Sequence, residues 1–236
     1  MIELAFAGAR VVFSTRVGGV SEGAYESLNL GILTDDSPRR VSENRRLLAE
    51  RAGLSPERVT MGWQVHGADV HEWELPPLEG GYATPGAELE RVDGHSTTHP
   101  ELGMLVLAAD CLPVALVGAD RVAMLHCGWR GLAAGILERA LSLFGEPPLA
   151  AIGPGIGRCC YEVGEDVLGA FSELDGVASG RMLDLKAVTR RKLEAGGSAD
   201  VHDVELCTSC RPDLFFSHRR DDGVTGRQGG LAWLAG

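Results

Sequence analysis

The chain has 236 residues, 44% hydrophobic and 23% charged, an ordinary globular composition with enough material for a core that needs no covalent staples. Its formal net charge of -11 excludes general phosphate-backbone binding, which needs clustered Lys and Arg, so no nucleic-acid partner is expected; a small anion held by a few converging arginines remains compatible with it. No run approaches the ~18 apolar residues of a membrane span, and MIELAFAGAR lacks the basic and apolar regions of a secretory signal, so no membrane partner and a cytoplasmic location with reduced thiols are expected.

In chain order, FSTRVGGVSEGAYESLNLG (13–31) reads as an ordered loop with a strand-like start. A helix is predicted within 35–54, with Ser37 as cap, Pro38 at its first position, Gly53 as stop and Val41, Leu47 and Leu48 as apolar stripe. RVTMGWQVHGADVHEW (58–73) reads as strand, turn, strand, and 75–87 as a Pro/Gly loop. Residues 103–129 predict two buried strands joined near Gly118–Arg121, followed by a helix over 131–145. A strand then runs into the Gly/Pro loop of 147–163. Helices follow over 164–172 and 184–195, the second capped by Asp184 and ended by Gly196–Gly197. Residues 201–207 and 213–220 look strand-like, and the tail predicts a turn and a short strand. Interleaved helices and hairpins favour a mixed α/β fold of α+β type, one domain over 1–236, above a regular parallel βαβ array. No GxGxxG after a strand and no GxxxxGK[ST] is present.

Three stretches put donor residues at structural transitions: QVHGADV with His66, AADCLPV with Cys111 and MLHCGWRG with His126. If the strands around Gly118–Arg121 pair through an even-length loop, Cys111 faces Gly128 and His126 faces Pro113, which brings Cys111 and His126 to diagonal positions on one face. Two imidazoles and a thiolate suit zinc, and three protein ligands leave the open vertex of a catalytic site, where bound water is acidified toward a pKa of ~7. The plainer alternative is two core histidines and a buried thiol. CTSC at 207–210 is a lone CxxC; Cys159 and Cys160 would complete a set of four, but adjacent cysteines chelate one ion awkwardly, and packing is the expected role. Arg16, Arg130, Arg219, Arg220 and Arg227 flank turns and suit phosphate or carboxylate, although Asp221 and Asp222 offer self-pairing in SHRRDDGVTGR. IGPGIG (152–157) reads as a turn.

Taken together, FSTRVGGVSEGAYESLNLG, ENR (43–45), QVHGADV, AADCLPV, HCGWRGL, IGPGIGRCCYEVG, LDL (183–185) and FFSHRRDDGVTGR resemble the bacterial YfiH-like family, also called the laccase-domain or multicopper polyphenol oxidase family. The resemblance runs from about residue 13 to 228. It implies a compact fold of layered mixed sheets flanked by helices, and one zinc held by His66, Cys111 and His126. It also implies a purine nucleoside phosphorylase acting on adenosine and inosine with phosphate, with adenosine deaminase and methylthioadenosine phosphorylase side activities. A pocket including the Arg16 loop and Asn29 follows from it. Cys127 stands where the family usually carries alanine, and His218 where an aromatic is expected.

On this footing Cys111, His126 and Arg130 are the expected catalytic residues. Arg16 and Arg130 would contact the anion, and Asn29 and Gln64 would orient sugar or base. The expected assembly is a monomer or weak homodimer. Three rivals share the same residues. One is a cysteine hydrolase built on Cys111 and His126, such as a peptidoglycan-precursor editing amidase. Another is a copper-dependent polyphenol oxidase, which the seven histidines oppose because no two form an HxH pair, although copper could substitute for zinc. The last is a non-enzymatic module closed by His71 or Cys127 as fourth ligand.

Overall fold

The computed structural model describes residues 1–75, 82, 89–198 and 200–236. The chain opens with a hairpin, β1 (Ile2–Phe6) and β2 (Ala9–Phe13). Helix α1 (Pro38–Arg51) begins after Ser37 with Pro38 in its first turn, as its sequence requires, and Gly53 beyond its end takes left-handed angles. Val41 and Leu48 are buried, but so are Asn44 and Arg45, which no apolar stripe announces. Then come β3 (Val59–Met61), β4 (Val70–Trp73), β5 (Gly94–Thr97), β6 (Gly103–Ala108), β7 (Leu112–Val117) and β8 (Val122–Cys127). The Pro/Gly loop expected at 75–87 lies outside the described residues apart from Leu75 and Tyr82.

Two short helices, α2 (Trp129–Ala133) and α3 (Ile136–Leu141), stand where one was predicted over 131–145; the chain breaks between them at Gly135. Strand β9 (Leu149–Ile152), helix α4 (Glu165–Gly169), a small ribbon of β10 (Ala178–Ser179) and β11 (Met182–Leu183), helix α5 (Leu185–Ala195), β12 (Val201–Asp203) and β13 (Gln228–Leu234) complete the order. Asp184 caps α5, its carboxylate accepting from the Ala187 N–H at 2.9 Å. Residues 213–220 form turns rather than the strand their apolar pair suggested.

The strands build two large sheets. The first runs β1-β2-β13-β6-β3 and the second β12-β9-β7-β8-β5-β4. Parallel pairs join β3 to β6, β4 to β5 and β9 to β12; the rest are antiparallel, so both sheets are mixed. Val11, Phe13, Met104 and Val106 of the first sheet pack on Ala115, Val117, Val122 and Met124 of the second. The far face of the first sheet is covered by α1 through Leu48 and Ala49. The far face of the second is covered by α2, α3, α4 and α5 through Leu132, Ile136, Val167 and Val188. The result is a helix–sheet–sheet–helix stack, the layered mixed-sheet arrangement expected. Every residue of β6, β7 and β8 is buried, because each strand has an apolar layer on both faces. The stretch 103–129 therefore holds three strands rather than two.

The segments 62–69 and 109–111 leave β3 and β6, parallel neighbours of the first sheet, and enter β4 and β7 of the second. Strand β8 ends at the same edge, with His126 opposite Pro113 and Cys127 opposite Leu112, the register the hairpin parity predicted. Residues 58–73 are thus strand, loop, strand, but the two strands belong to different sheets. Among the described residues no helix is long and apolar enough to cross a membrane.

Candidate metal centre

The two crossing segments and the end of β8 bring His66, Cys111 and His126 together, with one donor atom of each within 4.8 Å of the others. The rings of His66 and His126 meet edge to face, their centroids 4.9 Å apart. His66 itself has φ of 59° and Asp110, next to Cys111, has φ of 90°, left-handed angles that non-glycine residues adopt only where their surroundings impose them. Gly128 is required for closeness: a Cβ there would lie 3.0 Å from Cys111 Sγ and 3.3 Å from the His66 ring.

Asp93, fully buried, organises the site from behind and was not foreseen. Its carboxylate accepts the backbone N–H groups of Val65, His66 and Gly67 at 2.9, 3.0 and 2.7 Å, fixing the His66 loop. It also lies 2.7 Å from His126 Nδ1, which leaves Nε2 as the free donor of that ring. Burial works against the Asp93 charge, but the bond to His126 and the backbone donors hold the carboxyl below its ordinary value. The sequence clue was VDGHST, an acid with apolar Val92 before it and a buried strand after it.

Burial by itself would push the Cys111 thiol up. The charge of His126 and hydrogen bonds from both imidazoles outweigh it and bring the thiol down to about 6. On His126 burial acts downward, and the Cys111 thiolate together with Asp93 carries the imidazole up to about 9. Without an ion, the pair is therefore a thiolate beside an imidazolium. The donor set fits a borderline-soft divalent ion, which needs a deprotonated thiol and accepts imidazole nitrogen, and the carboxylate behind His126 is the orienting partner such ligands carry. Neither proposed fourth ligand closes the trio. The His71 ring lies tilted against Trp73, centroids 4.4 Å apart, and Cys127 packs in the core under the helices, where burial raises its thiol.

The trio faces a cavity of about 410 Å³. Gln64 and Asp110 line it, as do Tyr161, His218, Arg219 and Arg227. Gln64 is held at both ends by Leu107, its amide donating to the carbonyl and accepting from the N–H at 2.7 Å each. Asp110 accepts from the Thr208 hydroxyl at 2.6 Å and from the Arg219 N–H at 2.7 Å. Burial pushes the Tyr161 phenol up to about 12, and the Arg219 guanidinium lies 5.4 Å over its ring.

Three expected contacts are placed elsewhere. Arg16 donates to the carbonyls of Glu26 and Pro212 at 2.6 and 3.2 Å and lies over Phe216, away from the cavity walls. Arg130 stacks over Trp129 at 4.4 Å and is likewise not in the walls. Asn29 is fully buried, and its side-chain oxygen accepts from the N–H groups of Gly31 and Arg227 at 2.9 and 2.8 Å, so it holds two residues of the cavity wall. The wall arginines are Arg219 and Arg227. Arg220 is the self-paired one, held bidentately by Asp221 at 2.7 and 2.8 Å.

A family model described as multi-copper polyphenol oxidoreductase laccase matches residues 10–235. The purine nucleoside phosphorylase YfiH of Escherichia coli K12 is 38% identical over 240 residues, covering 96% of this chain and 94% of its own. The purine nucleoside phosphorylase YlmD of Geobacillus stearothermophilus is 35% identical over 243 residues, covering 94% and 89%. Among solved structures, YlmD of the same organism superposes with a TM-score of 0.91 at 35% identity, covering 98% of this chain and 93% of that one. YfiH of Bacillus licheniformis gives 0.90 at 31% identity, covering 96% and 92%.

Proposed function

The chain belongs to the multi-copper polyphenol oxidoreductase laccase family, and from that premise we propose that it is a purine nucleoside phosphorylase dependent on a divalent ion, zinc, held by His66, Cys111 and His126. The observation that carries the reading is the convergence of just these three donors, with Asp93 behind them, on a cavity walled by two arginines. Relatives named as purine nucleoside phosphorylases at 38% identity over nearly the whole chain support it. Copper would compete for the same nitrogen and sulfur donors. When bound, the ion supplies Lewis-acid polarisation of an oxygen.

Phosphorolysis forms a bond from a phosphate oxygen to ribose C1′ and breaks the bond from C1′ to the purine nitrogen, the base leaving with the electron pair. Arg219 and Arg227 hold and orient the phosphate by charge-assisted hydrogen bonds. Tyr161 keeps its proton at neutral pH and offers its hydroxyl as a hydrogen-bond donor to the developing charge of the departing base. Gln64, locked by Leu107, presents a fixed edge to the substrate. Adenosine, inosine and methylthioadenosine share the bond that breaks, and adenosine deamination is a lesser reaction of the same pocket. The protein works in the cytoplasm as one domain over 1–236, as a monomer or weak homodimer.

The test incubates zinc-loaded protein with adenosine and inosine, with and without phosphate, and follows free base and ribose 1-phosphate. Base release that requires phosphate and disappears in Cys111→Ala is the expected result. Base release indifferent to phosphate would overturn the proposal.

The thiolate–imidazolium pair favours one second reading, a cysteine hydrolase acting on an amide such as a peptidoglycan precursor. One sulfur cannot be both ligand and nucleophile. Turnover of an amide by metal-stripped protein, inhibited by added zinc, would select this reading.

A further inference from the structure

The fold gathers a second group of soft donors outside the cavity. Cys159 and Cys160 follow the loop after β9, and Cys207 and Cys210 lie on the segment after β12; one sulfur of each falls within 4.8 Å of the others. Cys210 Sγ is 3.5 Å from Cys159 Sγ and 3.4 Å from Cys160 Sγ, although Cys210 lies 51 and 50 residues from them in the chain. Adjacent cysteines can face one point here because residues 157–161 make a tight helical turn, with the N–H groups of Cys160 and Tyr161 both donating to the Gly157 carbonyl at 2.9 and 3.1 Å.

Four sulfurs around a zinc ion, with Zn–S bonds of about 2.3 Å, form a tetrahedron whose edges are about 3.8 Å. The two Cys210 separations fall a few tenths of an ångström short of that length, and all four sulfurs lie within 4.8 Å of one another. Disulfide pairing explains them less well, because Cys210 stands equally near two sulfurs and a disulfide joins only two. Independent support comes from Gly157. Its N–H donates to Cys207 Sγ at 3.2 Å, the contact that steadies a thiolate. A Cβ on Gly157 would come within 3.1 Å of Cys207 Cβ and 3.3 Å of Cys159 Sγ, so the backbone is drawn in against the sulfurs. We propose that Cys159, Cys160, Cys207 and Cys210 form a second metal site, a closed four-thiolate site for zinc with a structural role. This goes beyond the expectation of thiols that only pack. The proposal does not depend on the catalytic reading.

The site acts as a clasp on the cavity wall. On one side the Ile156 N–H donates to the Asp110 carbonyl at 2.8 Å; on the other the Thr208 hydroxyl donates to the Asp110 carboxylate at 2.6 Å. Both joined loops thus bear on the turn that carries Cys111.

The experiment measures zinc per chain by elemental analysis in protein purified under reducing conditions and saturated with zinc. About two ions are expected for the natural chain and about one in each of Cys111→Ala and Cys210→Ser. Thiol alkylation mapped on peptides of the natural chain and of Cys111→Ala provides a readout that needs no change to the four cysteines. Zinc should protect their peptides from alkylation, and a chelator should expose them together. A Cys111→Ala chain that holds no ion, equal alkylation of the four cysteines with and without zinc, or an intact mass short of hydrogens through disulfides would each overturn the site.

Discussion

Asp93 reaches four groups at once, three backbone N–H donors and the His126 ring, so its loss should be felt at the metal before anywhere else. Asp93→Asn keeps the shape but removes the charge, and zinc affinity measured by chelator competition should fall about 10- to 100-fold. A second residue-scale expectation concerns Cys111 in metal-free protein. Its thiolate exists above a pKa of about 6, so alkylation of its peptide should proceed at neutral pH and fall away as pH drops through about 6. In His126→Phe the midpoint should move up toward an ordinary thiol. His66, Cys111 and His126 were readable because each stands at the junction of an apolar run and a turn, and hairpin parity ties the last two. Asp93 was not, since its meaning lies in the backbone of a turn 26 to 28 residues earlier. The Arg16 contacts were illegible for a related reason: a guanidinium near a loop looks free in sequence, while the fold supplies it with two carbonyls.

At the scale of elements, caps and stops were legible and unbroken apolar runs were not. Pro38, Asp184 and Gly196 bound their helices as their chemistry requires. Strand β6 merged with β7 in the sequence because both are apolar on every position, and only the change of sheet at 109–111 separates them. Helix α1 hides another departure. Arg45 is fully buried, donating to the Leu30 carbonyl at 3.1 and 2.9 Å and to the Tyr82 carbonyl at 2.7 Å, and burial draws its guanidinium down to about 10. Arg45→Ala leaves those carbonyls without donors and a void beneath the loops they hold. Thermal or denaturant unfolding should register a loss of roughly 3 kcal/mol, with the metal trio unaffected in content.

For the molecule as a whole, the layering came from family resemblance, since strand order cannot be read from runs that are buried on both faces. The interior between the sheets also sets the response to acid. His95 is buried there, its Nδ1 accepting from the Trp73 indole at 3.1 Å and its Nε2 without a partner among the described residues, and burial pulls it down to about 3. The folded pKa lies below the unfolded value of ~6.5, so the unfolded chain binds the extra proton. Stability from this group is intact above that value and is lost as pH falls toward about 3, with a slope of up to about 1.4 kcal/mol per pH unit. His95→Leu should flatten that part of the curve in denaturant titrations.

Strand β13 lies between β2 and β6, pairing with residues that emerge from the ribosome far earlier. Until residues 228–234 are synthesised, two neighbouring strands keep open hydrogen-bonding edges, a form prone to sticking to other nascent chains. A polypeptide halted at residue 227 should therefore be chaperone-bound or insoluble, and release of the last strand should be the event that renders it protease-resistant.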